Sequence, residues 1–270
     1  MSNNTISAST NAQLANSIVE QAMSEPEKTI EPAKLTAPAD NVVTLPGGFI
    51  SDGKVITTAE VRELTGRDEE ALGRVTNQGR IFSTILSRAV VSVGDQKATE
   101  GLLDGLLAGD RDALLLGIYK ATFGPTAEVG TFCQSCKEFK TVEIEVDGDI
   151  KSKVLVDPIN DRTFVVEGKK GEFLVTLPTG ITQRELVAAE DKSAPELTTI
   201  LLENTVLEIN GSPVVSPVQV RNLGVMDRRS IVEAISSRSP GPKFETINVS
   251  CPDCEGEVVV PISLGALFRL

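Results

Sequence analysis

The sequence predicts an α+β fold built as an internally duplicated αβ repeat, with short antiparallel strands and a few helices in each half. Two observations carry this. All four cysteines fall in two C-x-x-C pairs, Cys133/Cys136 and Cys251/Cys254, each followed by a strand-like run. A series of further motifs recurs around them in the same order.

Residues 1–40 contain no glycine and no aromatic and carry Pro26, Pro32 and Pro38. They read as a flexible arm. Within it Thr10 and Gln13 make a capping-box pattern ahead of Leu14, Ile18 and Met23, a short helix suited to docking on a partner. From Asn41, "VVTLPGGFISDGKVITTAEVREL" reads as two or three strands, with turns at Pro46-Gly47-Gly48 and Asp52-Gly53. "TGRDEEALGRV" then turns helical, with Thr65 as N-cap and Asp68 three residues on. "QGRIFSTILSRAV" continues the helix and aligns Ile81, Ile85 and Ala89 on one face. "DRDALLLGIYKATFGP" predicts another helix, capped by Asp110, buried through Leu114, Leu115 and Ile118, and ended by Gly124-Pro125. The first cysteine pair and its strand follow.

The second half replays these motifs. "VTLPTGITQREL" echoes "VTLPGG…AEVREL", and "LTTILLENTVLEING" echoes "FSTILSRAVVSVGD". Asp227-Arg228 stand 117 positions after Asp110-Arg111, and Cys251/Cys254 stand 118 after Cys133/Cys136. Slowly drifting offsets in a fixed order are the trace of a duplication. The expected organisation is an arm at 1–40, a first repeat at 41–150, a connector at 151–170 with a turn at Asp157-Pro158 and an extra strand or two, and a second repeat at 171–270.

Each C-x-x-C forms a knuckle that offers two corners of a tetrahedron. Two knuckles make a zinc-ribbon-like site for structural Zn²⁺ on Cys133, Cys136, Cys251 and Cys254. The spacing also admits a rubredoxin-like iron site, two disulfides or a redox pair. Lys137 and Glu255 stand where ribbons often have glycine after the second cysteine.

The chain has no histidine, which excludes Ser-His triads and His-based acid–base chemistry. It has no phosphate-binding glycine loop. Acidic clusters at Asp68-Glu69-Glu70 and Asp110/Asp112 read as solvated helix starts, and Arg111, Arg228 and Arg229 as surface charge. The expectation is a protein that is not an enzyme. A net charge of −12 argues against nucleic-acid and anionic-membrane partners. The start "MSNNTISAST" lacks signal-peptide character, so synthesis and folding are expected in a cytoplasm.

The motifs "TLPGG…VRELTGRDEEAL", "ILSRAVVSVGD", "LLAGDRDALLLGIYKATFG", "CQSC", "DRRSIVEAISSRSPGP", "CPDC" and "VVVPISLGALFRL" together resemble the T4-like bacteriophage baseplate proteins, the family of the T4 baseplate hub assembly protein. The resemblance covers about 41–270. It implies a structural or assembly component of a tail baseplate or hub, built in the host cytoplasm and either kept in the virion or released from it. It also implies contacts with other tail proteins and zinc on the four cysteines. The arm and the C-terminal Leu264, Leu267, Phe268 and Leu270 are candidate contact surfaces, the latter equally suited to folding back on the core. The alternative is a cellular zinc-ribbon adaptor for nucleic acid or a transcription or ribosomal assembly.

Overall fold

Two runs rich in β-branched residues, joined by a tight turn, form the first antiparallel hairpin, β1 (Val42–Ser51) with β2 (Lys54–Val61). Its turn is Asp52-Gly53, both with positive φ (49° and 74°), the geometry that matches strand twist. The computed structural model describes residues 41–269; the arm, its capping-box helix and Leu270 lie outside the described residues. The Pro46-Gly47-Gly48 stretch is not a turn. It is a register shift inside β1 between Thr44 and Phe49, because β1 pairs with β2 on both sides of it.

Thr65 caps α1 (Gly66–Leu72) and forms the box with Asp68. The helix does not run on into the next. It ends at Gly73, and Asn77 caps a separate α2 (Gln78–Ala89) by accepting from Arg80 N–H. Ile85 and Ala89 of α2 are buried and Ile81 packs beside them. The chain passes from α2 directly into β3 (Val90–Val93), then β4 (Gln96–Lys97), α3 (Glu100–Gly105) and α4 (Ala108–Phe123). The antiparallel order is β1-β2-β3-β4. The sheet and α2 to α4 enclose a first core around Leu45, Val61, Leu86, Leu114 and Ile118. Full burial of such a side chain contributes about 1.5–3 kcal/mol.

A long hairpin follows, β5 (Thr126–Cys133) with β6 (Glu138–Glu145), then a short α5 (Val146–Asp149) and β7 (Ser152–Lys153). Asp157 holds the expected turn, its carboxylate accepting from the Ile159 and Asn160 N–H groups.

A second four-stranded antiparallel sheet has the order β8-β9-β10-β11, formed by β8 (Thr163–Glu167), β9 (Glu172–Thr176), β10 (Val206–Ile209) and β11 (Ser212–Pro213). β8 lies in the stretch expected as connector. Between β9 and β10 come α6 (Gly180–Ala188) and α7 (Ala194–Thr205); after β11 come α8 (Pro217–Arg221) and α9 (Val225–Arg238). Their core is centred on Phe173, Val175, Leu202 and Ile231. The chain ends with β12 (Gly241–Pro242), which pairs with β7, then the hairpin β13 (Thr246–Ser250) with β14 (Glu257–Pro261), then α10 (Leu264–Phe268).

The two "VTLP" stretches take different places in their sheets. Val43–Pro46 sits within the first strand of its sheet, whereas Val175 and Thr176 are the last residues of the second strand, with Leu177-Pro178 leading on to a helix. In the first sheet Val61 faces Val90, and in the second Val175 faces Val206.

The charged helix starts are only partly solvated: Glu69, Glu70 and Arg229 are exposed as expected, and Asp112 and Arg228 are half-buried. Asp68, Asp110 and Arg111 are 1 %, 0 % and 4 % exposed. Asp110 is not the N-cap of α4; Leu107 is. From the first turn the Asp110 carboxylate leaves its own helix and accepts the Gly47 N–H at 2.6 Å. Arg111 donates to the Leu103 carbonyl and reaches Ser83. Leu264, Leu267 and Phe268 fold back on the core, with the Phe268 ring edge-on to Phe82, Tyr119 and Phe123.

Candidate metal centre

β5 ends at Cys133, and the turn to β6 carries Cys136. The turn between β13 and β14 carries Cys251 and Cys254. The two turns are alike in backbone detail. Lys137 N–H closes onto the Cys133 carbonyl at 2.9 Å, and Glu255 N–H onto the Cys251 carbonyl at 3.0 Å. Lys137 and Glu255 both adopt positive φ, 59° and 57°. The glycine expected after the second cysteine is absent in both knuckles, yet the backbone takes the conformation that favours it.

This yields an expected result. A side chain in the left-handed region costs about 1 kcal/mol or more, partly offset by glycine's larger loss of freedom on folding. Both side chains are exposed. Lys137→Gly and Glu255→Gly together should raise Tm by about 2–4 °C in calorimetry. A fall would show that the side chains supply contacts worth more than the backbone strain.

The structure brings together all four cysteines named from the sequence. Their sulfurs lie within 4.8 Å of one another, and they are the one such group of metal-ligating side chains found among the described residues. The Sγ atoms of Cys133 and Cys254 are 3.6 Å apart, and those of Cys136 and Cys251 are 4.0 Å apart. A tetrahedron with Zn–S bonds of about 2.3 Å has edges of about 3.8 Å. The set fits a metal ion such as zinc, with every corner filled by protein.

The Cys136 N–H, pointing at the Cys133 sulfur, holds that thiol down to about 6, while burial pushes the Cys136 thiol up to about 12. Four thiolates at this spacing repel one another strongly, and a divalent cation relieves that repulsion.

The surroundings lock the knuckles together. Val249 and Val258 cover Cys133 and Cys251 on the inner side. The Thr131 hydroxyl donates to the Val259 carbonyl at 3.1 Å, joining β5 to β14. Lys140 pairs with Glu138 on its own strand and with Asp253 on the other knuckle. A Cβ on Gly256 would stand 2.4 Å from the Ser135 Oγ, so only glycine lets the second turn close on the first. Sequence reasoning missed Thr131, Lys140 and Gly256, whose roles depend on which strands meet.

In comparisons with protein-family models, curated proteins and solved structures, no match to the chain was found. No helix among the described residues is long and apolar enough to cross a membrane.

Proposed function

We propose that the protein is a non-enzymatic structural or assembly component, two copies of one αβ unit clasped by a structural zinc ion, and that it works through protein–protein contacts. The observation that carries this reading is the sulfur tetrahedron. Its corners come from two knuckles over a hundred residues apart, and no coordination position is left for a substrate. Such a site holds chain segments together.

The common order of the two sheets supports the duplication. So do the helix caps at matching places: Thr65 and Thr179, Asn77 and Ser193, Thr99 and Ser216. Asp227, 2 % exposed, repeats the reach of Asp110, accepting from the Lys169 and Lys170 N–H groups. Arg228 donates to Thr199 much as Arg111 donates to Ser83.

The assembly we assign it to is a bacteriophage tail baseplate or hub, a reading that rests on the motif resemblance. It is tested by co-purification with tail proteins from infected cells and by density for the chain in a cryo-EM map of the tail. A chain absent from both would refute it. Phe132 and Phe139 form an exposed edge-on pair beside the first knuckle, as a base-stacking adaptor would need. The chain's net charge of −12 disfavours a phosphate backbone, so we assign the pair to protein contact. Retention on heparin at low salt would reverse that assignment.

A further inference from the structure

The surface formed by α2, α3 and α4 is occupied by α6, which belongs to the other half of the chain. Gly180, the first residue of α6, seats where a Cβ would stand 2.5 Å from the Arg111 guanidinium and 2.8 Å from the Asp104 backbone. Ala108 N–H, at the start of α4, donates to the Pro178 carbonyl at 2.9 Å. Arg184 pairs with Asp104, Gln183 lies beside Asp112, and Val187 packs onto Gly79.

The corresponding surface of the second half is formed by α7, α8 and α9. There, among the described residues, it is a groove of about 890 Å³. Val225, the counterpart of Ala108 at the first position of its helix, is 66 % exposed. The counterpart of α6 is α1, whose outer face carries Gly66, Glu69, Glu70 and Gly73.

We infer that α1 of a second copy of this chain docks in this groove, making a head-to-tail contact that repeats the internal one. The inference goes beyond the zinc-clasp reading but rests on the repeat correspondence proposed with it. Position by position, the two faces are complementary. The pair Arg184–Asp104 becomes Glu70 facing Arg221, with both charges exchanged. Gln183–Asp112 becomes Glu69 facing Arg229. Val187 on Gly79 becomes Gly73 facing Pro195, so the bulky partner has changed sides. Gly180 over Arg111 becomes Gly66 over Arg228. Among the described residues Gly66 has nothing within 4 Å of its Cβ position, so none of them calls for glycine there. Glu69, Glu70, Arg221 and Arg229 are all exposed, and Arg221 pairs with Glu203 of its own chain at 3.2 Å. Because the two faces are different patches, the contact propagates into a ring or an open filament.

Sedimentation velocity on the full, zinc-loaded chain tests this. The wild type should show concentration-dependent species larger than a monomer. Gly66→Trp blocks one face and Val225→Glu the other. Each variant alone should be monomeric, with the melting temperature and metal content of the wild type. Mixed in equal amounts, they should form a 1:1 dimer and nothing larger, because each retains the face the other lacks. Glu70→Arg should weaken association at least tenfold, and adding Arg221→Glu in the same chain should restore it. A wild type that stays monomeric at the highest accessible concentration would overturn the inference. So would self-association indifferent to both blocking variants, or a mixture that stays monomeric. Metal content is read on the same samples, so loss of the zinc clasp and loss of the docking contact are separate results.

Discussion

Removing the metal from reduced protein is expected to lower Tm by about 10 °C or more, and Cys251→Ser should do nearly the same. Structural zinc contributes about 10 kcal/mol or more in small domains that have little else to hold them. Here each four-stranded sheet has its own apolar core, and a third cluster already packs the two cysteine-bearing hairpins together through Val129, Ile144, Val260 and Ile262. The expected loss is therefore a fraction of that figure, about 3–5 kcal/mol, which for a chain of this size is about 10 °C. The loss should be local before it is global. Hydrogen exchange should quicken first in β5–β6, β13–β14 and α10, because these are the segments the clasp joins. Serine keeps the size of cysteine but is a poor zinc ligand, so Cys251→Ser separates loss of the metal from loss of packing. Elemental analysis should give about one zinc per chain for the wild type. Fresh reduced protein without metal, together with an unchanged Tm for Cys251→Ser, would remove the clasp from the account of this fold.

The features legible in the sequence are those whose chemistry is local. Asp52-Gly53 makes its turn because both residues tolerate positive φ. Thr65 and Asp68 satisfy each other across one helical turn whatever lies beyond. Four cysteines in two C-x-x-C pairs declare their geometry because the knuckle is a turn property. Features set by tertiary packing were not legible. A carboxylate at a helix start reads the same whether it faces water or reaches into a neighbouring loop, so Asp68 and Asp110 look alike in sequence and both look exposed. In the structure Asp68 is enclosed by Arg62 and Arg88, and Asp110 by the β1 bulge. The repeated "VTLP" misled for a related reason. Four residues that suit a strand recur easily, and the two stretches sit at different places in their sheets. The motifs that survived are those tied to a geometric demand, caps and knuckles above all.

Asp110→Asn is expected to stabilise the protein above pH 6 and to leave it almost unchanged below pH 4. The Asp110 side chain is fully buried. Its Oδ1 accepts the Gly47 N–H, while Oδ2 has no hydrogen-bond partner. Burial pushes its pKa up to about 6; the Gly47 N–H and the nearby Arg162 guanidinium pull the other way and do not prevail. In the unfolded chain the group titrates at about 3.9. The folded form thus holds the proton more tightly than the unfolded form. Its contribution to stability is complete below about pH 4 and is lost as pH rises through 6. A difference of about two pKa units corresponds to about 3 kcal/mol. Asparagine keeps an oxygen for Gly47 N–H and carries no charge, so it should recover about 1–3 kcal/mol at pH 8. Asp110→Ala instead leaves the buried Gly47 N–H without an acceptor, and should cost about 1–3 kcal/mol at every pH. Urea titrations at pH 4 and pH 8 separate these outcomes. If Asp110→Asn were the less stable protein at pH 8, the carboxylate would have to be ionised and held by Arg162. The bulge of β1 would then be pinned to α4 by a buried ion pair rather than by a neutral hydrogen bond.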